Sequence, residues 1–142
     1  MLYKNVRFVE ADAQHLPFED NTFQIVSVSF GLRNIAEADR GLREMARVCK
    51  PGGRIAVLEF SKPSWQPFKA FYGFYMNRIL PKIGQLFARN EEEAYTYLPE
   101  SVSEFPDGQQ LVDRMHANGL VNGKYYPLTG GIATLYVAEK QI

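Results

Sequence analysis

The chain has 142 residues, of which 46% are hydrophobic and 23% are charged, a composition typical of a globular protein and not of a disordered or repetitive one. Its 16 basic and 16 acidic residues cancel, which argues against a nucleic-acid-binding surface. Because Cys49 is the single cysteine, an internal disulfide is excluded and a reducing compartment is favoured.

The first part of the chain has the pattern of strands alternating with a helix. Residues 5–11 predict a short strand, and residues 23–30 form a near-continuous apolar run, typical of a strand covered on both faces. Residues 36–50 predict a helix, which the Pro-Gly-Gly turn at residues 51–53 ends. Residues 54–60 predict the next strand. The two longer strands and the helix between them therefore predict a parallel βαβ unit.

The helix predicted over residues 36–50 has one apolar face and one polar face. Asp39 and Arg43 lie four residues apart and predict an ion pair on the outer face. The positions predicted to be buried recur at helical spacing and are Leu42, Met45, Ala46 and Cys49.

Residues 64–88 are unusually aromatic and predict a helix that Pro81 breaks or kinks. We call the aromatic side chains of this segment the aromatic stripe. Its simplest interpretation is a core element or a subunit interface. The more specific interpretation is an apolar lid or channel over a flat or prenylated substrate, in contact with a membrane surface. Residues 90–100 are polar and predict the start of another short helix.

The carboxyl-terminal part predicts a helix followed by a hairpin. Asp107 and Gln110 have the spacing of a capping box, and Gly119 lies where a helix C-cap belongs. Residues 120–126 and 132–139 predict two strands, and the short connection between them predicts an antiparallel hairpin. The face of the helix predicted to be apolar carries Leu111, Val112 and Met115.

Ligands of parallel α/β sheets bind beyond the carboxyl ends of the strands, so the residues there are the candidates for chemistry. Asp12 can accept the exocyclic amine of an adenine, or it can simply shape an Asx turn. Arg33 can stabilise an oxyanion, and Asn34 can orient a hydroxyl. The alternatives for these two are a surface arginine and an N-cap of the following helix. Ala13, Ser29 and residues 59–62 also lie at the ends of predicted strands, so they belong to the same short list.

Several classes of site are disfavoured by the sequence. His15 and His116 have no cysteine or carboxylate at ligand spacing, so we expect no metal site. The chain has no Gly-x-Ser-x-Gly, Cys/His pair or Walker loop, which weakens hydrolase and phosphoryl-transfer interpretations. It has no secretory signal and no apolar run of about 18 residues, so we expect a cytoplasmic protein without a transmembrane helix.

Several stretches of the sequence carry a family resemblance. They are Leu16-Pro-Phe-Glu-Asp-Asn-Thr-Phe23, Ser29-Phe-Gly-Leu-Arg-Asn-Ile35, and Arg47-Val-Cys-Lys-Pro-Gly-Gly-Arg54 leading into Leu58-Glu-Phe-Ser-Lys-Pro63. With these stretches the chain closely resembles the ubiquinone/menaquinone-biosynthesis C-methyltransferases of the UbiE/MenG type. Some pieces, such as Leu-Pro-Phe and Lys-Pro-Gly-Gly, are shared widely among class I methyltransferases. The stretches Ser29-Phe-Gly-Leu-Arg-Asn-Ile35 and Leu58-Glu-Phe-Ser-Lys-Pro63 are typical of a much smaller group of proteins.

The resemblance implies both a fold and a reaction. The fold is a partial class I, Rossmann-like α/β fold with a mostly parallel sheet, a terminal antiparallel hairpin and the first two strands absent. The reaction is methyl transfer from S-adenosylmethionine to a ring carbon of a demethylmenaquinol or demethoxy-type prenyl-quinol. Asp12 and Ala13 are then expected at the adenine and Ser29 near the reactive end of the cofactor. Arg33 is expected to stabilise the phenolate, and Asn34 to orient the hydroxyl or a water.

By the same resemblance, residues 1–142 are expected to form a single truncated methyltransferase domain, the carboxyl-terminal two-thirds of the family's domain. The glycine-rich loop and the acidic residue that holds the ribose are absent from the sequence. S-Adenosylmethionine binding would then be weak or absent in the isolated chain. Two unpaired sheet edges would remain, so we expect a homo-oligomer such as a strand-swapped dimer. The competing function is a catalytically inactive truncated homologue, either a binding or scaffold subunit or a gene-product fragment.

Overall fold

The computed structural model of the chain describes residues 4–63, 66–87, 102 and 104–142. The expected helix at residues 90–100 lies outside the described residues. Among those described, a π-helical turn, Tyr75–Ile79, connects the second and third helices. The strands are β1 Phe23–Ser29, β2 Cys49–Phe60, β3 Leu120–Leu128 and β4 Ala133–Lys140, and the α-helices are α1 Ala38–Val48, α2 Gln66–Phe74, α3 Leu80–Phe87 and α4 Gln109–Ala117.

The four described strands form one mixed sheet in the order β1-β2-β4-β3, with one parallel and two antiparallel pairings, so the described sheet is less parallel than expected. β1 and β2 are parallel and are connected through α1, which confirms the predicted βαβ unit. β4 is antiparallel to both β2 and β3, which confirms the predicted carboxyl-terminal hairpin. The parallel pair matters for function, because its two carboxyl ends lie side by side at one edge of the sheet.

The strand predicted at residues 5–11 is wrong. Residues 6–11 have no regular secondary structure, and the nearest bridge joins Asp12 to His15. The side chains of Val6 and Phe8 are 52% and 83% exposed. A strand needs a neighbour to satisfy its backbone N–H and C=O groups, and no described strand lies beside this segment. An apolar pattern alone therefore could not create a strand here.

The strand predicted at residues 23–30 is present as β1, but it is not covered on both faces. Ile25 is 65% exposed, although its hydropathy is that of a core residue. Among the described strands β1 pairs with β2 alone, so it lies at the edge of the sheet with its other side open. The apolar run of β1 therefore leaves an exposed apolar strip on the molecule.

Helix α1 is shorter than predicted and makes a different ion pair. It ends at Val48, so Cys49 opens β2, where it is fully buried as a packing residue. Asp39 pairs with Arg114 of α4 and not with Arg43: Arg114 Nε and Nη2 donate to its carboxylate at 2.8 Å each. These bonds hold the pKa of Asp39 below its usual range. Arg43 instead donates to Asn118 Oδ1 at 3.0 Å. Both contacts tie α1 to the end of α4.

Pro81 does not break the aromatic helix. It is the second residue of α3, and the π-helical turn comes directly before it. In that turn Leu80 donates its backbone N–H to Tyr75 O, five residues earlier. A proline inside an α-helix lacks a donor and clashes with the carbonyl four residues before it, and a π turn changes this pairing. The helical path therefore continues through Pro81.

Helix α4 begins differently from the prediction. Its N-cap is Gly108, at φ 57°, and no side chain caps it, so the predicted Asp107 capping box is wrong. The Asp107 carboxylate instead accepts the backbone N–H of Lys62 at 2.8 Å. Gly119 follows the C-cap Asn118 with φ 94°, in the left-handed region that favours glycine, as predicted.

The core lies where α1 and α4 pack on β2 and β4. The predicted apolar faces of both helices are buried in it. Tyr136 of β4 is the largest fully buried side chain, and its hydroxyl accepts the N–H of Gly108 at 2.8 Å. The core residues are Leu32, Leu42, Met45, Ala46, Cys49, Ile55, Val57, Leu111, Val112, Met115, Leu120, Tyr136 and Ala138.

Candidate functional site

The candidate site lies at the carboxyl ends of β1 and β2. Ser29, the last residue of β1, is paired in register with Leu58 of β2 and is exposed. The next residue, Phe30, donates its N–H to Leu58 O at 2.7 Å. The chain then turns through a short 3₁₀ helix, Leu32–Asn34, so Arg33 and Asn34 follow the strand end directly.

Phe30 has an unusual backbone conformation at this edge. Its φ is +58°, in the left-handed region that bulky residues rarely adopt. Its carbonyl accepts Arg33 Nη1 at 2.6 Å. Its ring packs on Phe60, with centroids 4.6 Å apart and planes tilted by 35°. Such strain is tolerated where surrounding contacts fix it, and functional sites are its commonest location.

Arg33 forms a buried ion pair with Glu59. Arg33 Nη1 lies 2.6 Å from Glu59 Oε1, and the two side chains are only 9% and 1% exposed. Glu59 also accepts the backbone N–H of Phe60 at 2.9 Å and that of Arg33 at 3.3 Å. The guanidinium lies over the Phe60 ring, 5.0 Å from its centroid. The geometry excludes the surface-arginine alternative and fixes Arg33 at the edge of the sheet.

The pairing of Glu59 with Arg33 was not predicted, although Glu59 was on the short list. Its signal in the sequence is a single acidic residue at the end of the apolar strand segment Ile55-Ala-Val-Leu58. A buried carboxylate needs a cationic partner. The sequence offers several arginines, and only the packing shows that the partner is Arg33.

Asn34 follows Arg33 and is exposed to solvent. Its backbone N–H donates to Gly31 O at 3.1 Å. The N-cap of α1 is Glu37, so the alternative that made Asn34 a helix cap is wrong. Its exposure leaves the side-chain amide accessible from solvent. Asn34 therefore stays a candidate for orienting a ligand.

Asp12 and Ala13 lie in the loop that precedes β1. Asp12 Oδ1 accepts the N–H of Gln14 at 2.8 Å, which is the Asx turn that the sequence allowed. The residue is exposed, and this bond engages only one of its carboxylate oxygens. Ala13 lines an apolar groove of about 340 Å³ along β1, together with Phe23, Ile25 and Met45 among others. The groove and the Asx turn adjoin the open side of β1.

Arg47 of α1 holds this loop in place. It donates to the carbonyls of Leu16 and Phe18 at 2.9 and 2.8 Å. It also pairs with Glu44 at 2.6 Å and with Asp20 at 2.8 Å. The Arg47 hydrogen bonds hold the pKa of Glu44 below its usual range. These contacts attach the part of the loop at residues 16–20, which follows Asp12 and Ala13, to helix α1.

Tyr72 of α2 is a further residue of interest. Its hydroxyl is buried and is the one buried side-chain polar atom without a hydrogen-bond partner in the part of the chain that the structure describes. Burial raises the pKa of Tyr72, and the charge of Asp107 raises it further. The Arg33 charge acts in the opposite direction. The sequence placed Tyr72 in the aromatic stripe but gave it no role of its own.

Two absences concern the described residues. No group of three or more histidine, cysteine, aspartate or glutamate side chains is placed there to hold a metal ion. None of the helices described is long and apolar enough to cross a membrane.

Comparison with known proteins decides the family. Residues 1–140 match the model of the ubiE/COQ5 methyltransferase family. The chain belongs to this family. It is 48% identical over 136 residues to the ubiquinone/menaquinone biosynthesis C-methyltransferase UbiE of Idiomarina loihiensis, a match that covers 96% of the chain and 54% of the relative. It is 45% identical over 139 residues to UbiE of Legionella pneumophila strain Corby, covering 98% and 55%. The chain thus spans about half the length of the curated relatives it matches.

Solved structures confirm the fold class. A SAM-dependent methyltransferase from Thermotoga maritima superposes with a TM-score of 0.66 at 18% identity, covering 94% of this chain and 63% of that one. A SAM-dependent methyltransferase from Aquifex aeolicus gives 0.60 at 17% identity, covering 95% and 55%. Both are similar to this member of the ubiE/COQ5 family in fold. The partial Rossmann-like methyltransferase fold that the sequence predicted is therefore confirmed.

Proposed function

We propose that this chain forms the acceptor side and the adenine side of a S-adenosylmethionine-dependent C-methyltransferase. The acceptor is a prenylated quinol of quinone biosynthesis, of the demethylmenaquinol or demethoxy type. The observation that carries the proposal is the buried Arg33–Glu59 pair, next to the exposed end of β1 in a ubiE/COQ5 family chain. An ordered guanidinium at a strand end is suited to an acceptor oxygen that becomes negatively charged.

The residues present fit the adenine side of the cofactor. Asp12 is exposed with one carboxylate oxygen left for the exocyclic amine, and Ala13 lies in an apolar groove that suits a flat ring. Ser29 is exposed at the strand end, where the reactive end of the cofactor would lie. S-Adenosylmethionine, when bound, supplies an electrophilic methyl group. The contacts to its methionine and ribose parts require residues beyond these, because the sequence has no glycine-rich loop.

Arg33 would act on the acceptor oxygen. A quinol ring carbon is a weak nucleophile until the neighbouring hydroxyl loses its proton, and a guanidinium stabilises the phenolate that results. Glu59 compensates the charge of Arg33 and holds its orientation, so Arg33 would act through directed N–H groups more than through a net positive charge. The amide of Asn34 would orient the hydroxyl or a water.

The exposed aromatic face of α2 supports a role in binding the isoprenoid tail. Phe71 and Phe74 lie three residues apart and are 63% and 59% exposed. Large apolar side chains in water mark a surface that contacts lipid, an apolar ligand or another protein. We propose that they contact the tail and, with it, the membrane surface from which a prenylated quinol comes.

The activity test uses the chain together with the remaining part of the Idiomarina relative. We expect this mixture to transfer labelled methyl groups to a short-chain demethylmenaquinol. Arg33→Lys keeps the charge opposite Glu59 but loses the planar donors, so its rate should fall about 10²-fold. The matched control is Arg40→Lys on the exposed face of α1, which should keep the wild-type rate. An unchanged rate for Arg33→Lys would remove Arg33 from the mechanism.

The alternative function is a catalytically inactive homologue that serves as a binding or scaffold subunit. Titration calorimetry with S-adenosylmethionine separates the two. Micromolar binding, alone or in the mixture, supports the enzyme. No heat at millimolar ligand in either case supports the inactive homologue.

We also infer a homo-oligomer, such as a strand-swapped dimer, for the chain in isolation. The open side of β1 pairs with no described strand, and Ile25 and the apolar groove lie beside it. Unpaired edges with apolar side chains associate readily. Sedimentation at micromolar concentration should give more than one chain mass. Ile25→Lys places a charge on that strip and should shift the mass to one chain; a monomeric wild type would refute the inference.

A further inference from the structure

We propose that the Tyr72 hydroxyl is a hydrogen-bond donor to the oxygen of a phenol-type acceptor bound beside Arg33. The proposal rests on the function proposed above and names a residue that binds the acceptor in that same site. It is carried by a buried hydroxyl that lacks a partner within the described residues.

A buried hydroxyl without a partner is costly for the fold. Tyrosine can donate one hydrogen bond and accept others, and buried polar groups in native proteins nearly always find a partner. Burying a tyrosine hydroxyl without a partner costs more folding free energy than burying a phenylalanine at the same place, because the hydroxyl loses its hydrogen bonds to water. Tyr136, which is fully buried, follows the rule, because its hydroxyl accepts the N–H of Gly108. Tyr72 is therefore an exception that a ligand would resolve.

The surroundings of Tyr72 indicate which ligand would fit. β2 ends at Phe60, directly after Glu59, and α2, which carries Tyr72, begins at Gln66. Asp107, whose charge raises the pKa of Tyr72, accepts the backbone N–H of Lys62 at 2.8 Å, two residues after the end of β2, and the charge of Arg33 acts on the same hydroxyl. Arg33 in turn lies over the ring of Phe60. A flat ring that enters here would present its oxygen to Arg33 and to Tyr72.

The chemistry of the hydroxyl is that of a donor. Burial and Asp107 raise the pKa of Tyr72, so it keeps its proton at neutral pH. A neutral phenol O–H donates well to an acceptor oxygen that gains negative charge. Arg33 is already compensated by Glu59, so a second, neutral donor adds stabilisation without adding charge. Tyr72 would thus share the acceptor oxygen with Arg33.

The test compares Tyr72→Phe with Tyr136→Phe and Tyr126→Phe. In urea unfolding of the unliganded chain, Tyr72→Phe should be as stable as the wild type or more stable, because no internal hydrogen bond is lost. Tyr136→Phe should be less stable, because Gly108 loses its acceptor. A loss for Tyr72→Phe as large as for Tyr136→Phe would show that its hydroxyl serves the fold, and would overturn the proposal.

The second measurement is binding of reduced 1,4-dihydroxynaphthalene, followed by calorimetry. Tyr72→Phe should weaken binding about five- to tenfold, the loss of one hydrogen bond, whereas the exposed Tyr126→Phe on β3 should bind like the wild type. Equal binding by Tyr72→Phe and the wild type, or no binding by the wild type, would overturn the proposal. Tyr72-dependent binding without methyl transfer would reject the proposed reaction alone.

Discussion

Replacing Glu59 with alanine is expected to destabilise the protein by about 3 to 5 kcal/mol. The substitution leaves the guanidinium of Arg33 buried without its carboxylate, and it removes the acceptor for the backbone N–H groups of Phe60 and Arg33. Typical domains are stable by only about 5–15 kcal/mol, so the loss takes up much of the total. Urea unfolding followed by circular dichroism measures it.

An exposed ion pair provides the matched control for Glu59→Ala. Arg40 and Glu37 lie 3.8 Å apart on the solvent side of α1. Glu37→Ala should change the free energy of unfolding by less than about 0.5 kcal/mol. The double variant Arg33→Leu/Glu59→Leu should recover much of the stability, since apolar side chains can replace a buried pair at little cost. If Glu59→Ala unfolded like the wild type, the pair would not be buried in solution.

Replacing Gly53 with alanine is expected to destabilise the protein by about 3 kcal/mol. A Cβ atom there would lie 2.6 Å from Cys49 Sγ, 2.7 Å from Gln24 O and 2.8 Å from Lys50 O. Two of these atoms belong to the backbone where β1 meets β2, so they cannot move without disturbing the ladder. Urea unfolding measures this effect as well.

The control for Gly53→Ala is Gly73→Ala in α2. A Cβ atom at Gly73 meets nothing within 4 Å. Alanine is the better helix former, so this variant should be more stable by about 0.5 to 1 kcal/mol. We therefore expect the free energy of unfolding to fall for Gly53→Ala and to rise for Gly73→Ala. A neutral Gly53→Ala would mean that the contacts around Gly53 are looser than the structure has them.

The role of the Pro-Gly-Gly segment shows what the sequence could not decide. The sequence predicted a turn that ends a helix at Lys50. In the structure α1 ends at Val48, and residues 49–53 belong to β2 as a bulge, since Phe23 pairs with Cys49 and Ile25 with Arg54. Glycine propensity is compatible with a turn and with a bulge. The neighbouring strand, not the local sequence, selects between them.

The site was predicted as a set of positions but not as a set of contacts. The rule that ligands bind at strand ends placed Ser29, Arg33 and Glu59 on the short list, and the structure brings them to one edge. It could not say that Glu59 neutralises Arg33, nor that Phe30 adopts a left-handed conformation. The sequence could not distinguish Tyr72 from the other residues of the aromatic stripe, because the burial of a single hydroxyl leaves no pattern in a sequence.

By itself the sequence determined the family, the βαβ unit and the carboxyl-terminal hairpin, because local periodicity and short motifs encode them. The tertiary structure alone decided which elements have neighbours. Residues 5–11 have the pattern of a strand and stay irregular, and β1 has the pattern of a buried strand and stays exposed at Ile25. The backbone N–H and C=O groups of a strand need hydrogen bonds to another segment, and the side chain of a core residue needs contacts from another element. Both properties depend on partners that the residue's own sequence neighbourhood does not contain.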